Sequence, residues 1–170
     1  MSGTATHPTP ATFLDDVIRP ALQAIELDSE AAEQLLLGTA LQESDLRATV
    51  QDGGGPALGY FQMEPNTHND IWTNYLAFHA DLAGKVRSLA GVAAGTPNAR
   101  ILVTNHRYAA AMTRVHYLRV SAPLPAAGDV MAMADYWKDH YNTSGGAGSA
   151  EQFVGKWNSF QVAGLFATVA

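Results

Sequence analysis

A single ionisable side chain at the end of a long apolar run constrains this chain more than any other feature. Residues 35–65 read LLLGTALQESDLRATVQDGGGPALGYFQMEP, and Glu43 closes the apolar part. Stepping back from Glu43 by three and four residues gives Ala40, Thr39, Leu36 and Ala32, so a helix here would carry the carboxylate on its mostly apolar face. The Gly53-Gly54-Gly55-Pro56 run demands a turn soon afterwards. Burial disfavours the ionised carboxylate, and the negative end of the helix dipole disfavours it further, so both effects raise its pKa. A carboxylic acid that keeps its proton near neutrality is fitted to general-acid chemistry. The plainer alternative is a glutamate whose side chain swings out to water from a frayed helix end.

The rest of the chain supports one folded unit. At 170 residues it is long enough to bury a full core without a second module. The expected division is a flexible arm over 1–9 and a single domain over 10–170. Thr9 is placed to cap a helix with Pro10 in its first turn, and Pro20 should kink or split that helix. Ser29 is the expected cap of the helix ending near Glu43. Residues 48–62 lack helical spacing and are read as a small irregular or β-hairpin lobe that walls one side of a cleft. Helical spacing returns from Asn66, with Gly84 and Gly91 as weak points, and Thr96-Pro97 reads as the start of a long helix to about Val120. Residues 129–140 and 150–160 complete the helices, with an apolar tail packing back. The fold class expected is mainly α (α+β).

Composition narrows the function. Ten Lys and Arg against sixteen Asp and Glu leave a net charge of -6, which argues against nucleic acid as a general partner. There is no cysteine, so neither disulfides nor thiolate metal sites are available. The histidines form no metal set: His106 and His116 lie on different helix faces, and His68 and His140 are expected at the surface. A Gly-x-Ser-x-Gly elbow is missing, and the glycine run lacks the lysine of a phosphate loop. No metal or organic cofactor is expected.

Three ordered motifs then converge: Glu43-Ser44, Gly59-Tyr60-Phe61-Gln62-Met63-Glu64-Pro65, and Tyr141-Asn142-Thr143-Ser144-Gly145. In order and spacing, over roughly residues 29 to 157, they resemble the motifs of soluble lytic transglycosylases in the lysozyme-like superfamily. The family pattern is Glu-Ser, then Gly-Leu-Met-Gln with a proline soon after, then Ala-Tyr-Asn-Ala-Gly. Here Tyr60-Phe61 stands in place of Leu-Met, His140 in place of alanine, and the third motif is one residue longer.

The resemblance implies a lysozyme-like helical domain that acts on peptidoglycan glycan strands. Glu43 would be the catalytic acid and Ser44 a substrate-side residue. Gln62 would bond an acetamido group, Tyr60 and Phe61 would stack on a sugar face, the Tyr141 hydroxyl would hold Glu43, and Asn142 would contact substrate. In the alternative reading of the two aromatics, they are core residues of the small lobe.

Which glycosidase chemistry follows depends on a second carboxylate. Asp52 is the leading candidate, nine residues after Glu43 on the glycine-rich turn, a spacing that resembles phage-type lysozymes. Glu64 and Asp70 are expected to cap the helix after Pro65 instead. The expected function is a lytic transglycosylase using Glu43 alone. The alternatives are a hydrolytic muramidase using Glu43 and Asp52, and a non-catalytic virion protein that keeps the fold for wall binding.

The amino terminus lacks the basic patch and apolar core of a secretory signal, and no apolar run reaches the roughly 18 residues of a membrane helix. A wall-cutting product made in the cytoplasm without an export signal points to a bacteriophage gene. Such a protein would be released through a pore as an endolysin or carried in the particle, where other virion proteins would be its partners.

Overall fold

The computed structural model describes residues 6–142 and 146–167. Among these, every regular element is helical, and no helix is long and apolar enough to cross a membrane.

The chain enters through Thr9, whose hydroxyl accepts from the Thr12 backbone N–H, with Pro10 in the first turn of α1 (Pro10–Phe13). The split expected at Pro20 takes the form of a π-helical turn, Leu14–Ile18, before α2 (Arg19–Ala24). A proline nitrogen has no hydrogen to donate four residues back. The Asp16 carbonyl accepts instead from Arg107 Nε at 2.8 Å, which ties this bend to a distant helix.

The central element is α3 (Glu30–Ser44), capped by the Ser29 hydroxyl on the Ala32 N–H at 3.1 Å. Every residue from Ala32 to Leu41 is buried, so this helix is enclosed round its whole circumference rather than along one stripe. Its enclosure depends on Gly38. A Cβ there would lie 2.4 Å from the Phe153 ring, so the missing side chain lets a later helix press against α3. Gly38→Ala is therefore expected to cost about 1–3 kcal/mol through overpacking, measured as a fall in the urea midpoint. The helix stops where Asp45 (φ 50°) and Leu46 (φ 56°) turn left-handed.

Residues 48–63 form the small lobe, and it is irregular. Only isolated antiparallel bridges occur, Val50 with Leu58 and Leu58 with Met63, so no hairpin strands are built among the described residues. Gly53 and Gly54 both have left-handed φ, and Pro56 brings no donor, which leaves too few ladder bonds to propagate a strand. Gly59 (φ 75°) is required as glycine, because a Cβ would fall 2.4 Å from the Leu102 carbonyl oxygen.

Helix α4 (Pro65–Asn74), a 3-10 turn at Leu76–Phe78 and α5 (Ala80–Ala90) follow, and Gly91 ends α5. The long helix expected from Thr96-Pro97 is corrected by the structure. A short α6 (Ile101–Thr104) breaks at Asn105, and α7 (His106–Leu118) starts afresh. Asn105 causes the break: its side-chain oxygen accepts from the Tyr108 N–H, and its amide donates to the Leu89 carbonyl at 2.7 Å. An asparagine able to bond its own backbone competes with helix continuation.

Helix α8 (Val130–His140) is capped by Asp129, and α9 (Ala150–Ser159) opens with a reciprocal Ser149–Gln152 capping box. Helix α9 packs on both α3 and α8, while α7 lies against α2, α3, α4 and α5. The tail returns as expected, with Val162 buried and the Arg19 guanidinium over the Phe166 ring. Of the expected arm, residues 1–5 lie outside the described residues.

Candidate active site

Glu43 stands one residue before the end of α3, at a cleft of about 410 Å³ that is within the size range of small-ligand sites. Burial pushes its carboxyl up from an ordinary 4.5 to about 7, against the Trp137 hydrogen bond and the Lys156 charge, which both hold it down. Burial, one of the two causes expected from sequence, leads. The other, the negative helix end, is met by a counter-charge: Lys156 Nζ donates to the Gln42 carbonyl at 3.0 Å and the Leu41 carbonyl at 3.3 Å, and pairs with Asp45 at 3.0 Å. Trp137 Nε1 donates to Glu43 Oε1 at 2.9 Å, so the carboxyl has a fixed orientation.

The Trp137 contact is open to a direct test. In Trp137→Phe the ring still packs near Phe153, but the donor that favours the charged carboxylate is gone. The Glu43 carboxyl is expected to titrate above its wild-type midpoint, followed by carbon NMR of a labelled glutamate.

The other motif residues divide into two groups. Gln62, Tyr141 and Asn142 line the cleft with Glu43. Gln62 sits at φ 50° and is held there by bonds from its own N–H and its side-chain amide to the Gly59 carbonyl. A polar residue fixed in a sparsely populated backbone region beside a cleft is a mark of a functional position. Tyr141 does not bond Glu43: its hydroxyl donates to the Phe61 carbonyl at 2.6 Å. Burial, and next the nearby Glu43 carboxylate, hold that hydroxyl well above its usual pKa, so it stays a donor.

Tyr60 and Phe61 are core residues, which corrects the expectation that they stack on sugar. They are 8% and 1% exposed and pack on Phe13, with Tyr60 also against His106. The reason is the tight turn, in which Gly59 and Gln62 both take positive φ, so that Gln62 reaches the cleft and both aromatics turn inward. Ser44 is likewise not a cleft group. Its hydroxyl is occupied by the Tyr60 carbonyl at 2.7 Å and the Ala40 carbonyl at 3.0 Å, so it fastens the second motif to the end of α3.

The backbone of Asp52 lies in a 3-10 turn, Asp52–Gly54, next to the cleft-lining Gln51. Its side chain, and residues 143–145 of the third motif, lie outside the described ones. Glu64 lines the cleft and stands at the start of α4 without making a side-chain cap bond. Asp70 accepts from Asn74 and Arg119 rather than capping that helix. Of the two histidines expected at the surface, His68 is fully buried and bonded to Tyr108, and His140 lines the cleft.

Sequence reasoning missed Trp137, Lys156 and His116. Trp137 precedes Tyr141 by one helical turn, a signal that was available. Lys156 meets Glu43 only through the packing of α9 on α3, and no local pattern announces it. A second hollow of about 550 Å³ between α4 and residues 96–100 takes in Pro65 at the end of the second motif and none of the candidate site residues. Comparison of the chain with protein-family models, curated proteins and solved structures finds no match.

Proposed function

We propose that this chain cleaves the glycan strand of peptidoglycan between N-acetylmuramic acid and N-acetylglucosamine as a lytic transglycosylase. The observation that supports this most is a convergence: one half-buried carboxyl whose pKa is pushed up to about 7 shares a cleft with residues from two other, distant motifs, Gln62 and Tyr141-Asn142. In the proposed reaction Glu43 gives its proton to the bridging oxygen as the bond from that oxygen to the muramic acid C1 breaks. The carboxylate so formed takes the proton of the sugar's own 6-hydroxyl, whose oxygen bonds C1 and closes an anhydro ring. No water is consumed. The lysozyme-like assignment of the fold, an origin in a bacteriophage and action at the cell wall all belong to this same reading.

A second reading, hydrolysis, is favoured by Glu64, a carboxylate in the same cleft with no cap bond to occupy it. It would position a water for attack at C1, as would Asp52 if its carboxylate faces the cleft. Product mass separates the two. Digestion of purified peptidoglycan is expected to release muropeptides ending in an anhydro sugar, one water lighter than hydrolysed strands. Reducing ends as the dominant product would replace this reading with a muramidase, and Glu64→Gln and Asp52→Asn would then identify the second carboxylate. A zymogram with no clearing by folded protein would favour a non-catalytic, wall-binding protein.

A further inference from the structure

His116 lies in the cleft wall, yet none of the three motifs contains it. It is on α7, and its Nδ1 lies 2.8 Å from Arg119 Nη2. A guanidinium has donors only, so Nδ1 must be the acceptor and the ring hydrogen must sit on Nε2. Arg119 is fixed in turn, because its Nη1 donates to Asp70 Oδ2 at 2.6 Å, and Asp70 also accepts from Asn74. The hydrogen bonds from Asn74 and Arg119 hold the Asp70 carboxyl below its ordinary range, so the anion end persists. On its other side the imidazole meets the backbone of His140 and stands edge-on to the Tyr141 ring at 5.1 Å. These are the last residue of α8 and the residue after it, where the end of a helix leaves carbonyls in need of donors.

We propose that His116 is a positioning residue of the cleft, locked as the uncharged Nε2–H tautomer by the Arg119–Asp70 pair, and that it braces the end of α8 from which Tyr141 and Asn142 reach the cleft. The groups facing it are Arg119 on its own helix, Asp70 from α4, and His140 and Tyr141 from α8, with Glu43 and Glu64 sharing the cleft. Burial, then the Arg119 charge, push its pKa down to about 4. The cleft wall therefore carries no cation at His116, where a positive charge would favour ionised Glu43 and so weaken it as an acid.

The tautomer is read directly, and that measurement does not rest on the glycan-cleaving reading. In the full chain carrying ¹⁵N-histidine, His116 is expected to show a bare Nδ1 and a protonated Nε2 from pH 8 to about 5. Arg119→Met should mix the tautomers and raise the midpoint of His116, whereas Asp70→Asn should loosen the tautomer less and lower the midpoint, because it removes an anion that favours the charged ring. A protonated Nδ1 in the wild type, or a tautomer and midpoint unmoved by Arg119→Met, would overturn the proposal. The consequence for turnover does rest on the proposed function. His116→Phe, checked for folding by thermal melt, is expected to lose about tenfold in kcat on purified peptidoglycan, the equivalent of one hydrogen bond. His116→Gln, which offers both an acceptor and a donor, should recover most of it. A folded phenylalanine variant with unchanged kcat would overturn the bracing role. If the wild type cleaves no glycan, the function falls while the NMR result still decides the tautomer.

Discussion

Replacing Glu43 by Gln is expected to lower glycan cleavage by about 10²–10⁴-fold, the usual contribution of a positioned general acid, while the protein stays folded. The amide matches the carboxyl in shape and keeps an oxygen to accept the Trp137 N–H, so the geometry of the α3 terminus should survive. What it lacks is a proton to give. At neutral pH the wild-type carboxyl, with its pKa raised to about 7, is divided between the protonated form that acts and the ionised form that does not. Wild-type cleavage should therefore fall as pH rises through 7, and the variant should show no such limb. Turnover on purified peptidoglycan across pH, with circular dichroism as the folding control, checks both. A folded glutamine variant with near-normal turnover would remove Glu43 from the chemistry, and the proposed function with it.

How far the sequence revealed this site depends on the range of each interaction. The placement of Glu43 was legible because helix periodicity and a capping serine are local: Ala32, Leu36, Thr39 and Ala40 are all fully buried, and Ser29 caps α3 as its position implies. The split at Pro20 and the helix over about 129–140 were legible for the same reason. Tyr60 and Phe61 were not, because the direction of a side chain on a tight turn depends on Gly59 and Gln62 both adopting positive φ, which only the packing against Leu102 makes evident. The Tyr141 hydroxyl illustrates the same limit. Proximity to Glu43 was read from the motifs, but the nearer acceptor, the Phe61 carbonyl, belongs to a turn 80 residues away. Lys156 lies still further out of reach. It offsets the negative end of α3, so the sequence argument gave the correct direction for Glu43 while assigning too much of it to the helix dipole.

Stability as a function of pH tests Glu43 without any substrate. A carboxyl whose pKa is raised on folding holds its proton more tightly in the folded state, so the folded protein is favoured as pH falls through about 7 and the gain is complete below the unfolded value near 4.5. Above pH 7 the folded state must instead carry a partly buried charge that the unfolded chain exposes fully to water. A displacement from 4.5 to about 7 corresponds to about 3 kcal/mol. Glu43→Gln removes this cost, so the variant should be more stable than wild type by up to that amount at pH 8, and the advantage should shrink steadily towards pH 4.5. His68, His106 and His116, whose burial lowers their pKa values, impose the opposite slope: stability present above about 6.5 is lost as pH falls. That contribution is common to both proteins and cancels in the difference. Paired urea titrations at pH 8, 7, 6 and 5 isolate the glutamate. A difference that stays flat across this range would show that the carboxyl is ordinary, and that the acid on which the proposed reaction depends is not there.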